Sequence, residues 1–166
     1  MIVRKAKPKD AKRIAEINVI GWHTAYKGLI PDDFLAKWQV TEKGIARYRE
    51  KIGNPSNIFL VAEQDGKVIG YLYGYKNTKE PQIPYEYEVQ SLYIDPNFQR
   101  HGAGTALLKA FQKAIGNKPF FLHALKGNQQ AINFYTKANG KRSPEYDLDR
   151  TWGDVTRRIE AFIFSR

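Results

Sequence analysis

Two glycines with one residue between them, Gly102 and Gly104, stand at the start of a helical apolar stripe, just after Gln99 and Arg100. Backbone without Cβ atoms can approach a ligand closely. The first amides of a helix lack internal partners, and that end of the helix carries roughly half a positive charge. A strand, a turn, Gly-x-Gly and a helix are therefore the parts of a backbone-made anion site. Arg100 adds a fork of donors suited to phosphate, and Thr105 adds a hydroxyl. The chemistry these residues suit is the holding of a diphosphate. Two well-known phosphate loops do not match. A Walker loop ends in Gly-Lys-Ser/Thr, which is absent here. A dinucleotide fingerprint needs a third glycine where Leu107 stands, and an early βαβ unit.

The elements that must position this loop can be read from period and punctuation. Residues 2–6 read as a first strand. Pro8 and Asp10 open a helix whose stripe is Ala11, Ile14, Ala15, Asn18, Trp22 and Ala25. Pro31, Asp32 and Asp33 restart a helix, expected to run to about Lys51. Strands follow at 58–63 and 68–75, joined by an Asp65-Gly66 hairpin turn. Strict alternation in 68–75 puts Ile69, Tyr71, Tyr73 and Tyr75 on one face. Gly70 and Gly74 fall on the other, where something must come close. The run 85–94 alternates too, with Tyr85, Tyr87, Val89, Ser91 and Tyr93 on one face and Glu86, Glu88, Gln90, Leu92 and Ile94 opposite. After the glycine loop, Leu107, Leu108, Phe111 and Ile115 mark a helix that stops near Gly116-Asn117. Residues 120–125 are a strand. Asn128 caps a helix with the stripe Ala131, Phe134, Tyr135 and Ala138, stopped by Asn139-Gly140. Residues 155–164 are a last strand, with a partner expected within 141–149. The order predicts a mixed α/β (α+β) sheet with helices on its faces, in a single domain over 1–166.

The 166 residues carry a net charge of +10, which favours anionic partners, although Lys and Arg are spread with no run of five. There are no cysteines, which removes disulfides, thiolate metal sites and a cysteine nucleophile. Three scattered histidines offer no ligand-spaced metal cluster. No leader-like apolar segment or membrane-length run is seen, so a cytoplasmic location without a membrane partner is expected.

The chain resembles the GCN5-related N-acetyltransferases (GNAT family). Their mark Gln/Arg-x-x-Gly-x-Gly/Ala is matched by Gln99-Arg100-His101-Gly102-Ala103-Gly104. A preceding Leu-Tyr-hydrophobic-x-Pro is matched by Leu92-Tyr93-Ile94-Asp95-Pro96. An Asn followed seven residues later by Tyr, with Ala between, is matched by Asn128, Ala131 and Tyr135. The element order agrees from the first strand to the last. The resemblance implies a mostly antiparallel twisted sheet, splayed at its fourth and fifth strands, with acetyl-coenzyme A as cosubstrate and no metal. It implies that Arg100, His101, Gly102, Ala103, Gly104 and Thr105 cradle the pyrophosphate. A bulged strand would offer the backbone of Leu92, Tyr93 and Ile94 to the pantetheine arm, and the Ile94 amide would polarise the thioester carbonyl. Asn128 would touch the arm, and Tyr135 would protonate the departing thiolate.

An amine that attacks a thioester must first lose a proton, so a general base is needed. Glu88 matches the strand carboxylate of many members, with Glu86 beside it on the same expected face. His123 stands where relatives that acetylate ribosomal-protein N-termini carry a glutamate; an imidazole can still act as a base. Trp22 and Tyr26 fall in the segment that forms an acceptor wall in relatives, where aromatics hold a cation or simply pack. The expected activity is acetyl transfer from acetyl-coenzyme A to a small-molecule or peptide amine. A coenzyme A-binding regulatory module keeps the fold without the chemistry. A basic nucleic-acid-binding protein finds no supporting motif, so no nucleic-acid partner is expected. Relatives are often homodimers, and no interface is legible.

Overall fold

The computed structural model of the protein describes residues 1–165. Along the chain run β1 (Ile2–Lys5), α1 (Ala11–Ala25), α2 (Asp32–Lys37), α3 (Glu42–Gly53), β2 (Asn57–Gln64), β3 (Lys67–Lys76) and β4 (Tyr87–Ile94). Then come α4 (Ala103–Ala114), β5 (Phe120–Leu125), α5 (Gln129–Lys137), β6 (Lys141–Arg142), β7 (Leu148–Trp152) and β8 (Val155–Phe164). The strands form one sheet in the order β1-β2-β3-β4-β5-β8-β6, with β7 also on β8. Every pairing is antiparallel except β4 with β5. Ile14 and Ile17 of α1 and Tyr48 and Ile52 of α3 pack on one face. Leu107, Leu108 and Phe111 of α4, with Tyr135 of α5, pack on the other. The mixed class, the mostly antiparallel sheet and the helices on both faces agree with the sequence reading.

The turn signals were sound. Asp65 and Gly66 both have positive φ, 51° and 75°, as a two-residue hairpin requires. Gly116, Asn117 and Asn139 also adopt positive φ just past α4 and α5. Gly70 and Gly74 are the close approaches the pattern called for. A Cβ on Gly74 would lie 2.6 Å from Phe111 of α4 and from the Glu88 carbonyl; one on Gly70 would lie 2.3 Å from Ile94. Phe111 thus reaches the sheet itself, and burying such a ring contributes roughly 1.5–3 kcal/mol.

Four expectations need correction. The helix restarted at Pro31 does not run to Lys51. It ends at Lys37, and α3 starts afresh behind Thr41, whose hydroxyl accepts from the Gly44 amide at 3.0 Å. The break lets Trp38 stack on Trp22 at 4.0 Å between ring centroids. The strand expected at 85–94 begins at Tyr87, because the Asn77 amide donates to the carbonyls of Glu80, Ile83 and Tyr85 and ties the preceding loop down. Strict alternation fails in both central strands. A register shift between Ala62 and Glu63 makes Ile69 an extra residue, and it packs with Leu72 on the α4 side rather than with the tyrosines. A second shift makes Gln90 extra between Val89 and Ser91, so Leu92 and Ile94 join Tyr87 and Val89 on the α4 side. One inserted residue flips everything after it to the other face. The last strand's partner is also not confined to 141–149: β6 and β7 share the work, and β7 extends to Trp152.

Candidate functional site

β4 and β5 part company early. They pair only at Tyr87↔Phe120, Glu88↔Phe121 and Val89↔Leu122. Beyond Val89 the strand from Gln90 to Ile94 has β3 on one edge and no strand on the other. The Asp95 amide donates to the Ile69 carbonyl, toward β3. Backbone direction alternates along a strand, so Leu92 and Ile94 aim their amides and carbonyls into the opening, and Tyr93 aims its own at β3. Tyr93 enters by its side chain instead, its hydroxyl 2.8 Å from that of Tyr26. The opening widens into an open cavity of about 1160 Å³ lined by Gln90–Ile94, the glycine loop, His123, Asn128 and Tyr135.

The glycine loop closes one end of this cavity. Gly102 is the N-cap of α4 at φ 84°, with open space where a Cβ would be. Only its conformation demands glycine. Gly104 is glycine for a different reason: a Cβ would sit 2.9 Å from Phe134 of α5. One glycine shapes the loop and the other lets two helices touch. Arg100 also has positive φ, 65°, an uncommon state for a residue with a side chain. Its side chain is exposed, as are His101 and Thr105. Ala103 is buried at the first turn. Gln99 donates to the Ile94 carbonyl at 3.2 Å and accepts from Gln130 at 2.7 Å, tying the strand end to α5. Asn128 caps α5 through Oδ1, which accepts from the Ala131 amide at 3.2 Å; its NH2 is the donor left over.

The titratable candidates lie deeper. Glu88 is 3% exposed, and its Oε2 is fully buried without a hydrogen-bond partner. Burial pushes its carboxyl above the usual range, although Arg150 and the Tyr75 hydroxyl pull the other way. The other fully buried side-chain polar atom without a partner, among the described residues, is His123 Nδ1. His123 Nε2 lies 3.0 Å from the Tyr146 carbonyl. A carbonyl only accepts, so Nε2 carries the proton and Nδ1 presents a bare lone pair. Burial holds this imidazole below its ordinary value, which keeps it neutral at neutral pH. Glu88 pairs with Phe121, and His123 is two residues past Phe121 on the same face of β5. Both orphans therefore stand on one face, at the point where the strands separate. Glu86, the neighbour that the sequence left in competition, does not join them. It is exposed, bonded to Lys118 at 2.6 Å and Lys76 at 3.3 Å, and the Lys118 contact holds its carboxyl low.

Tyr135 is buried on α5, and burial in apolar surroundings pushes its phenol well up. Trp22, which the sequence left between cation holder and packing residue, is packed: 5% exposed, stacked on Trp38, with Trp152 edge-on at 5.5 Å. That aromatic knot fixes α1, α2 and β7 to one another. Three features of the site escaped the sequence. Tyr75 lies directly opposite Glu88. Arg150 of β7 reaches Glu80 of the β3–β4 loop at 3.1 Å. Gln130 and Lys137 of α5 line the cavity. The first needed the hairpin register, and the second joins segments 70 residues apart; the third had a signal in the spacing of Asn128, Gln130 and Lys137 along one short helix. Among the described residues no group of three or more His, Cys, Asp or Glu could hold a metal ion, and no helix is long and apolar enough to cross a membrane.

A sheet that opens over a helix N-terminus, with a free strand edge inside the opening, has the architecture of a protein that takes an extended, anionic ligand. The chain belongs to the acetyltransferase (GNAT) family, whose model matches residues 9–140. It is 30% identical over 152 residues to the uncharacterised N-acetyltransferase YuaI of Bacillus subtilis, covering 89% of this chain and 84% of that one. It is 26% identical over 97 residues to the N-alpha-acetyltransferase RimI of Mycobacterium tuberculosis, covering 58% of this chain and 60% of the other. The fold is similar to that of the PaiA N-acetyltransferase of Thermoplasma acidophilum, solved in complex with coenzyme A, with TM-score 0.75, 21% identity and 96% of each chain covered. It is also similar to yncA of Salmonella typhimurium, solved with acetyl-CoA, with TM-score 0.68, 20% identity, and 99% of this chain and 93% of that one covered.

Proposed function

We propose that this protein transfers the acetyl group of acetyl-coenzyme A to a primary amine by direct attack within a ternary complex. The observation that carries this reading is the opening between β4 and β5, which leaves the edge of Leu92 and Ile94 without a partner strand beside the free amides of α4. The fit to the cosubstrate rests on the same features. An extended amide-bearing arm can add to the open edge of β4 as a strand would. A diphosphate suits the loop from Arg100 to Thr105. Two structural neighbours of the same fold were solved with coenzyme A or its acetyl ester, which supports assigning that ligand class here.

In this reading the Ile94 amide donates to the thioester oxygen as negative charge develops on it. The acceptor arrives as an ammonium. Glu88, acting as the carboxylate, takes its proton and frees the nitrogen lone pair. The bare Nδ1 of His123 accepts a hydrogen bond from a second N–H and aims that lone pair at the carbonyl carbon. The new C–N bond forms, the C–S bond breaks, and the sulfur leaves with the electron pair. The Tyr135 hydroxyl, protonated at any physiological pH, donates its proton to the thiolate. The surplus proton on the product nitrogen leaves to solvent, Glu88 releases the one it took and Tyr135 takes one back, so each turnover yields the amide, the free thiol and one proton. The Asn128 NH2 and the cradle from Arg100 to Thr105 hold the rest of the cosubstrate and take no proton. Thiol release from acetyl-coenzyme A across a panel of primary amines tests the reading. Amine-dependent release that Glu88→Gln abolishes supports it; release that no amine stimulates removes the transfer step and leaves a coenzyme A-binding module.

A further inference from the structure

We propose that Lys51 and Lys79, with Arg47 behind them, form an anion subsite that selects acceptors carrying a carboxylate on the same molecule as the amine. This rests on the reading of Glu88 as the point where the amine loses its proton. Tyr75 lies opposite Glu88 across β3 and β4. The Tyr75 and Tyr73 rings are 5.3 Å apart. Lys79 Nζ sits 4.8 Å from the Tyr75 ring centroid, and Lys51 Nζ sits 4.8 Å from that of Tyr73. The tyrosines, each 7% exposed, thus form a largely buried wall with a carboxyl at one end and two ammonium groups along its outer rim.

Those ammonium groups make no ion pair among the described residues, although Lys79 lies within electrostatic reach of Glu88. The ion pairs among the described residues use Arg4, Arg13, Lys76, Lys118, Arg142, Arg150 and Arg158, and none uses Lys51, Lys79 or Arg47. Lys51 is half-buried, and burial together with the like charges of Lys79 and Arg47 holds its ammonium below the ordinary value. Three cations gathered without an ion-pair partner among the described residues repel one another, and a bound anion lowers that cost. Cation–π contact orients two of them along the tyrosines. A zwitterionic acceptor matches both ends of the wall: its ammonium faces Glu88 and its carboxylate faces the lysines. A polyamine puts a second positive charge against the rim and is rejected by it.

The carboxylate can belong to a small amino acid or to an acidic residue near a peptide N-terminus, and two probe pairs separate these sources. One pair is aminohexanoate and hexylamine. The other is Ala-Asp-Ala-amide and Ala-Asn-Ala-amide. Affinities are measured by calorimetry on the full chain with coenzyme A present, so no turnover is needed. The carboxylate member should bind roughly tenfold tighter in at least one pair, about 1.4 kcal/mol, with a preference that shrinks as salt rises. Lys51→Met with Lys79→Met should reduce the preference to about twofold or less, and Lys51→Arg should keep it. Equal affinities in both pairs, a preference that survives the double substitution, or no binding of any probe overturns the subsite. A clear preference without any acetyl transfer would overturn the transferase reading and leave the subsite standing.

Discussion

The two sides of the opening between β4 and β5 are built from different material. The proposed cosubstrate side is backbone: free amides at the start of α4, a strand edge at Leu92 and Ile94 without a partner strand, and a glycine at φ 84°. The proposed acceptor side is side chains drawn from five elements: Glu88 on β4, His123 on β5, Tyr73 and Tyr75 on β3, Lys51 on α3, and Arg150 on β7 bonded to Glu80. Backbone sites depend on conformation and tolerate changes of side chain. Side-chain sites depend on chemical type at a few positions. A family can therefore hold one half constant while the other half diverges.

The contrast can be broken most severely at Glu88. Glu88→Gln should lower kcat about 10²–10⁴-fold, the usual range for a lost general base, and leave the affinity for acetyl-coenzyme A within about twofold of wild type. The acid limb of the pH–rate profile should disappear with it, because activity needs the carboxylate and Glu88 titrates above the ordinary range. The same substitution should raise the melting temperature at neutral pH. A carboxyl whose folded pKa is raised contributes stability that is present below the unfolded value and lost as pH climbs through the folded one. The gain should therefore fade when both proteins are melted in acid, near or below the ordinary glutamate value of 4.5.

Tyr135→Phe comes next, with kcat down by at least about tenfold and cosubstrate affinity kept, read from steady-state thiol release. The two glycines then sharpen the comparison within the backbone half. Gly102→Ala keeps the packing but forces a side chain into positive φ, at a cost of roughly 1–2 kcal/mol. Weaker acetyl-coenzyme A binding, by up to about tenfold, should appear with little change in kcat. Gly104→Ala should instead lower the melting temperature, because its Cβ meets Phe134 at 2.9 Å; overpacking of this kind costs about 1–3 kcal/mol. Glu86→Gln is the smallest expected change. It removes exposed contacts to Lys118 and Lys76 and should leave kcat and KM within about twofold. A large effect there would mean that the two neighbouring glutamates have been given the wrong parts.

The same division explains what could be read from the chain beforehand. Gly102, Asp65-Gly66 and Asn139 announce themselves because special backbone conformations leave few residue choices, and those turns, caps and the glycine loop were legible. Gly70 and Gly74 likewise pointed to close approaches, which Ile94 and Phe111 make. The α2–α3 break was hidden because a helical stripe can cross it, and the decisive signal was the Thr41 cap together with the stacking of two distant tryptophans. The bulge at Ile69 was hidden, and only the family resemblance pointed to a bulge in the strand that holds Gln90, because alternation is a local pattern, whereas a bulge is fixed by the partner strand. By residue type and alternation Glu86 and Glu88 looked alike in the sequence, and only the family resemblance favoured Glu88. Their difference came from Lys118 on one side and Tyr75 with Arg150 on the other, none of which is near them along the chain except by register.

The most direct measurement is a calorimetric titration of the wild-type protein with acetyl-coenzyme A, with NAD and ATP as controls. Saturable one-to-one binding of acetyl-coenzyme A, weakened by Gly102→Ala and not by Glu88→Gln, is the expected result. No binding at high concentration, or equal binding of all three nucleotides, would contradict the assignment of the opening between β4 and β5 to this cosubstrate.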